Sequence, residues 1–462
     1  MANSTSEQLR FPTIAGMSIR ANFDGGAMSS DFGALLVAGV DRQIGLTQRL
    51  ANAFSDQRNQ SYITHYMRDL LKQRIYQQAT GYEDCNDSGD LRIDPIFKLA
   101  VGKKPLEEGN DLASQPTFSR LENAASRKDI YNMSRAMVDH FIASYAKAPK
   151  LIILDMDHTS DRTFGQQELS FYNHHYRSYC YLPLTIFEGG SGKLVAAILR
   201  PGKRPTGQEN ATIMKRVLKH IRQSWPCTHI ILRGDGHFSN PELMQLCLDD
   251  KHMDFIFGLP SNKRLAVMAA PVLDKARAIH AYRSYLQKAN KMPVQSTRVF
   301  TEHEYAAGSW PQAFRTILKA EVMDAGDNPR FIVTSIKDLS PEMAYEKLYC
   351  DRGNAERYIK ELKCDLACDR TSNSTFLANC MRLMISCAAY TLIHSLRSET
   401  LRGTGMAKAS ASTIILKLFK IAVRLVQYKD RIKLHLPSSC PAKALLLQVT
   451  EILYKTPPPK LS

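Results

Sequence analysis

The sequence predicts an α/β fold: a mixed sheet with helices on both faces, interrupted by a β-rich insertion and flanked by helical regions. Three observations carry this. The first is a run of strand and helix signals that begins at Lys150. Leu151 to Asp157 (L-I-I-L-D-M-D), Tyr181 to Phe187 and Leu194 to Leu199 read as strands, the last two joined by the hairpin turn E-G-G-S-G-K. A helix over Glu209 to Gln223, a strand over His229 to Arg233, a helix opened by Asn240 and Pro241, and a strand over Asp254 to Leu259 follow. The second is a stretch over 261–340 with a helix, Ala266 to Lys288, and strands over Thr297 to Tyr305, Phe314 to Val322 and Arg330 to Ser335. The third is helical periodicity before and after both.

Three strands, helix, strand, helix, strand is an order that resembles the RNase H-like fold. The chain divides accordingly. Residues 1–148 form an N-terminal helical region expected to bind DNA. Residues 149–260 are expected to form the first part of the α/β core, 261–340 the β-rich insertion, 341–396 the second part of the core, and 397–462 a basic C-terminal region. In the first region a helix is expected over Tyr62 to Thr80, stopped by Gly81, with Arg68, Lys72 and Arg74 on its outer face. A second helix is expected over Lys128 to Ala146. In the last region, I-I-L-K-L-F-K-I-A-V-R-L-V reads as an amphipathic helix presenting Lys417, Lys420 and Arg424.

With 462 residues, two to four domains are expected. The formal net charge of +16 points to a polyanionic partner, most simply nucleic acid bound through its phosphates. No apolar run reaches the length of a membrane span, and the N-terminus lacks a signal-peptide pattern, so a cytoplasmic location is expected. The ten cysteines include no CxxC pair and read as buried, reduced thiols.

Tyr349 to Lys363 (Y-C-D-R-G-N-A-E-R-Y-I-K-E-L-K) concentrates the chemistry. On an α-helix, Tyr349, Arg352, Glu356 and Lys363 fall on one stripe, within roughly 60° of each other. A solvated face with i,i+4 ion pairs would give the same pattern. Glu361 is placed about 140° from Glu356 and is expected to be dispensable. Two further carboxylate positions favour a site over a solvated face. Asp155 and Asp157 lie on one face of the first strand, and Asp235 follows the fourth. Three carboxylates suit Mg²⁺ or Mn²⁺, and two such ions about 4 Å apart can activate a water or 3′-hydroxyl for attack at phosphorus.

The spacing Y-(2)-R-(3)-E-(6)-K resembles the signature of bacterial insertion-sequence DDE transposases. L-D-M-D-H-T and I-L-R-G-D-G-H-F resemble the segments around that family's first and second Asp. The resemblance implies cut-and-paste transposition: metal-dependent cleavage at the element's terminal inverted repeats and strand transfer into target DNA, with a homodimer in the synaptic complex. It implies Asp157, Asp235 and Glu356 as metal ligands, with Asp155 the alternative first Asp. It implies phosphate contacts for Tyr349, Arg352 and Lys363. Trp310 is the candidate for stacking a flipped base, the insertion's trait in relatives that form a hairpin intermediate. Two other readings exist. One is an inactive or domesticated DNA-binding protein. The other is a haloacid-dehalogenase-like phosphatase, since Asp155, Asp157 and Thr159 match D-x-D-x-T with Asp155 as nucleophile. The phosphatase reading lacks the second Asp after Asp235, where Ser239 and Asn240 stand.

Overall fold

The computed structural model describes residues 8–455. It comprises two units, the first formed by Met1–Asp129, Cys364–Cys368 and Ile385–Ser462, the second by Ile130–Lys363 and Asp369–Met384.

The first unit is mostly helical, with helices Gly33–Ile44, Leu46–Ala53, Met67–Ala79, Pro95–Val101, Gln115–Ala124 and Lys443–Lys455. Met67–Ala79 is shorter than predicted, because Gln60–Tyr62 forms a separate 3₁₀ turn capped by Asn59. Its Arg74 does not face solvent. The side chain is 2% exposed and donates to the carbonyls of Tyr82 and Glu83 at 2.9 and 2.6 Å. The predicted cationic helix near the C-terminus is helical only as far as Phe419. Val423–Gln427 is a strand, paired antiparallel with Ile432–His435 and Met28–Ser29. Val423 and Leu425 are buried and Arg424 is exposed, the two-residue alternation of a half-buried strand.

The second unit is built on one mixed sheet. Its main strands are β1 (Leu151–His158), β2 (Leu184–Glu188), β3 (Leu194–Ile198), β4 (His229–Gly234), β5 (Met253–Leu259), β6 (Thr297–Tyr305), β7 (Phe314–Met323) and β8 (Arg330–Thr334). The order across the sheet is β6-β7-β8-β5-β4-β1-β2-β3. β4 runs parallel to β1 and β5, and the other neighbours are antiparallel. β2 and β3 form the expected hairpin. The strands of the 261–340 stretch do not make a sheet of their own but extend the central one through β8. They have apolar residues on both faces, so each side can be covered.

One face carries Leu154, Met156, Leu232, Phe255 and Phe257. It is covered by helices α1 (Gly207–Ser224), α2 (Pro241–Leu248) and α3 (Lys263–Ala289). α1 starts at a capping box in which Thr206 and Glu209 bond reciprocally. Asn240 caps α2, accepting from Leu243 N at 3.1 Å. The other face carries Ile231, Ile256, Ile317 and Ile332, packed under Ala344 and Tyr345 of the helical run that follows β8. Packing on both faces makes the strand ends rigid, and the candidate site stands at those ends.

Among the described residues one helix, Phe376–Thr400, is long and apolar enough to cross a membrane, and 89% of its most apolar window is buried within the protein. All ten cysteines are free thiols; Cys227, Cys350 and Cys364 are exposed, against the expectation of burial.

Candidate active site

β1 places two carboxylates on one face of the sheet, and they have different surroundings. Asp155 is 1% exposed. Its partner in register on β4 is Arg233, also 1% exposed. The guanidinium grips both carboxylate oxygens, Nη2 reaching Oδ2 at 2.8 Å and Nε donating to Oδ1. Arg233 Nη1 donates to the carbonyl of Leu348, tying the pair to the helical run above. Gly189 backs the pair, since a Cβ there would collide with Asp155 and Arg233. Burial raises the Asp155 carboxyl and Arg233 opposes that rise.

Asp157, two residues on, is at the strand's end. Arg352 Nη1 donates to its Oδ2 at 3.3 Å, and Arg352 Nη2 donates to Glu356 Oε1 at 3.2 Å. Burial pushes the Asp157 carboxyl up to about 7; Arg352 opposes the rise, while Asp235 and Glu356 add to it. For Arg352, burial disfavours the charge, but Asp157, Tyr349, Asp235 and Glu356 more than offset it and raise its pKa. Asp235 follows β4 directly and accepts from His237 N at 2.9 Å. Asp157 and Glu356 therefore share one guanidinium, and Asp235 is near enough to act on it electrostatically.

The predicted regular helix over Tyr349 to Lys363 is broken into turns of different width. Met343–Tyr349 is π-helical, Cys350–Arg352 is 3₁₀, Gly353–Lys360 is α-helical, and Glu361–Asp365 is π-helical again. The single stripe is lost with the regular period. Tyr349, its pKa raised mainly by burial, lies over Gly258 of β5, where any side chain would meet its hydroxyl. Lys363 does not join Arg352. Its Nζ donates to Thr159 Oγ1 at 3.0 Å and to the carbonyl of Ser160, with Asp161 and Asp369 at 3.8 and 3.9 Å. Glu361 is 7% exposed, so its replacement would disturb packing, and it is not the solvent-facing control that a regular helix predicts. Trp310 is 9% exposed and packs edge-on against Tyr305 and Phe314 in the main core cluster.

Two residues near the carboxylates were not singled out in the sequence. Tyr176 has its pKa raised by burial and then by Asp157 and Asp235. No local signal marks it, because it comes from a turn between short strands. His158 stacks on Phe238 with ring centroids 4.9 Å apart, and burial lowers its pKa to about 3, leaving a neutral, packed ring.

Among the described residues no three His, Cys, Asp or Glu side chains are gathered closely enough to hold a metal ion as they stand. The donor set nevertheless fits a hard divalent cation. It offers carboxylate oxygens only, and both the burial that chiefly raises Asp157 and the added repulsion from Asp235 and Glu356 are what a divalent charge would offset.

The model of the family described as transposase DDE domain group 1 matches residues 11–458. No curated protein matches the chain. Six chains of solved structures do. One belongs to a cryo-EM structure of the piggyBac transposase synaptic complex with hairpin DNA. It is 13% identical, over 84% of this chain and 79% of that one, with a TM-score of 0.42. The family match spans nearly the whole chain, and on it the chain belongs to the DDE transposase domain family.

Proposed function

We propose that the chain is an insertion-sequence transposase that cleaves DNA at the element's ends and joins them to target DNA, with Asp157, Asp235 and Glu356 as its catalytic carboxylates. The observation that carries the reading is that Asp157, at the end of β1, and Glu356 both accept from Arg352, while Asp235, just past β4, acts on the same guanidinium electrostatically. Asp157 is chosen over Asp155 because both oxygens of Asp155 are already taken by Arg233. On this reading the sheet is an RNase H-like core whose β-rich insertion lengthens it.

Asp157, Asp235 and Glu356 would hold Mg²⁺ or Mn²⁺, in a pair if the site follows its family, supplying an acidified water or 3′-hydroxyl and charge neutralisation at phosphorus. The chain's own residues do the rest. Arg352 keeps Asp157 and Glu356 within reach of each other, and its guanidinium suits a DNA phosphate when they turn to a cation. Tyr349 fixes the start of that helix against β5. Lys363 holds the turn after β1, which fixes the position of Asp157. In the cleavage step a water oxygen bonds to phosphorus and the bond to the 3′-oxygen breaks, that oxygen leaving as a hydroxyl. In the joining step the freed 3′-hydroxyl attacks a target phosphodiester and expels its 3′-oxygen in turn. Trp310 is left out of this scheme, because its ring is packed in the core.

The partners on this reading are the terminal inverted repeats and target DNA, in a synapse of two copies in the bacterial cytoplasm. The test is cleavage of a supercoiled plasmid carrying the element's ends, with Mg²⁺ or Mn²⁺. Wild type should cleave, whereas Asp157→Asn, Asp235→Asn and Glu356→Ala should bind the ends and not cleave. Wild-type-like cleavage by Asp235→Asn and Glu356→Ala would overturn the assignment.

A further inference from the structure

Two arginines bond to the carboxylates of β1, and the two contacts are built differently. Arg233 grips Asp155 through two hydrogen bonds, Nη2 at 2.8 Å and Nε beside it, with both partners 1% exposed. Arg352 spends one bond on each of two carboxylates, 3.3 Å to Asp157 Oδ2 and 3.2 Å to Glu356 Oε1. Charge-assisted N–H···O bonds ordinarily measure about 2.7–2.9 Å, so both of these are long. The side chains of Arg352 and Asp157 are 19% and 18% exposed, and that of Glu356 is 62% exposed. The Arg352–Glu356 pair is an i,i+4 contact at the helix surface, a class that contributes little to stability. Arg233 is thus a buried lock, whereas Arg352 is loosely held at the mouth of the site.

What Arg352 covers is a cation's place. It bonds one oxygen of Asp157 and one of Glu356, and Asp235 acts on it electrostatically. Carboxylate oxygens are the donors that a hard divalent ion takes, at about 2.0–2.1 Å for Mg²⁺. An ion bound to those oxygens would lie within about 5 Å of the guanidinium nitrogens, where like charges repel strongly in a half-buried site. A guanidinium does not escape this repulsion by losing its proton. It escapes by moving, and two long single bonds leave it able to move.

We propose that Arg352 is an exchangeable counter-ion, which competes with a divalent cation for Asp157 and Glu356 and releases them when the cation binds. Before that exchange it spares the chain from holding bare carboxylates together, and after it the guanidinium is available to an anion. The inference rests on the proposed function in taking these carboxylates as metal-holding.

The experiment is Mn²⁺ binding to the full chain without DNA, read from the electron paramagnetic resonance signal of free Mn²⁺, for wild type, Arg352→Gln and Arg352→Ala. Loss of the competing charge should tighten Mn²⁺ binding about tenfold in both variants. A guanidinium that only scaffolds the carboxylates would give weaker binding in both, so the sign separates the two roles. In Arg352→Ala, guanidinium chloride below denaturing levels should raise the apparent Mn²⁺ dissociation constant in proportion to its concentration, the pattern of a shared site, whereas NaCl at equal ionic strength should not. Unchanged or weaker Mn²⁺ binding in the variants, or guanidinium acting no differently from NaCl, would each overturn the inference. Plasmid cleavage is read separately. If Asp235→Asn and Glu356→Ala cleave like wild type while the Mn²⁺ pattern holds, the proposed function is wrong and the exchange stands; if those variants are inactive and the Mn²⁺ pattern is absent, only the exchange falls.

Discussion

Asp155 and Asp157 lie two residues apart on one strand face, and their replacement should fail in opposite ways. Asp155→Asn weakens one side of an ion pair in which both partners are 1% exposed and joined by two hydrogen bonds. Arg233 would stay charged in the interior, with the Leu348 carbonyl as its remaining full acceptor. Breaking such a pair from one side costs about 3–5 kcal/mol, roughly a fifth or more of a typical domain's stability. At about 2–4 °C per kcal/mol for a unit of this size, the second unit should melt roughly 10 °C lower. Replacing both partners, Asp155→Leu with Arg233→Met, removes the stranded charge and should recover most of the loss. Asp157→Asn should keep wild-type stability, since burial already disfavours that carboxylate and Arg352 retains Glu356. Its defect should be in cleavage. Thermal melts by circular dichroism, together with plasmid cleavage, read both effects. A normally melting Asp155→Asn that cannot cleave, beside an Asp157→Asn that can, would make Asp155 the first carboxylate and refute the reasoning.

Divalent cation should stabilise the wild type through binding linkage, by about 1.4 kcal/mol at ten times the dissociation constant; thermal melts with and without Mg²⁺ should show that shift lost in Asp157→Asn and Asp235→Asn. Glu321 gives a pH dependence: burial would raise its carboxyl, but Lys319 Nζ at 2.6 Å, Arg298 Nε at 2.7 Å and Asn328 Nδ2 at 3.0 Å pull it down to about 2. A lowered carboxyl contributes stability above its unfolded value near 4.5, and that contribution fades as pH falls from there through about 2. Glu321→Gln should therefore cost about 2 kcal/mol in urea unfolding at pH 7 and progressively less towards pH 2; a gap that does not shrink would count against the network.

The central strands were legible because they are short apolar runs bounded by turn residues, and the E-G-G-S-G-K turn left little choice for β2 and β3. That Asp157 and Asp235 stand at or just past strand ends was legible from the strand signals, whereas the preference for Asp157 over Asp155 and the choice of Glu356 came from the family resemblance. Long-range register was not legible. Arg233 meets Asp155 only because β4 aligns with β1 across 78 residues. A hint was present, since an arginine inside I-I-L-R-G-D must find an acceptor when its strand is buried on both faces. Arg74 misled for a related reason. A guanidinium on an apparently polar helix face reads as a solvated one, yet two backbone carbonyls satisfy it in the interior. The Val423–Gln427 strand was hidden by the preceding helix, whose apolar spacing runs into an alternating segment without a glycine or proline to divide them.

The uneven helix Met343–Asp365 explains why one sequence motif addresses two places. A regular helix would aim Tyr349, Arg352, Glu356 and Lys363 at the same partner. Wide turns at Met343–Tyr349 and Glu361–Asp365, with a tight one at Cys350–Arg352, change the phase between them. Arg352 and Glu356 are four residues apart within the narrower turns and stay together over Asp157. Lys363 lies beyond the start of the last wide turn, and it reaches Thr159 and Ser160 instead. The two cations thus hold β1 on either side of His158, one at the carboxylate and one at the turn after it. Asp157 is fixed from both directions while its charge is only partly compensated, because one guanidinium serves Asp157 and Glu356 together, with Asp235 nearby. The same residues that rigidify the strand end leave it short of positive charge, and a divalent cation with DNA phosphate beside Arg352 would complete that balance.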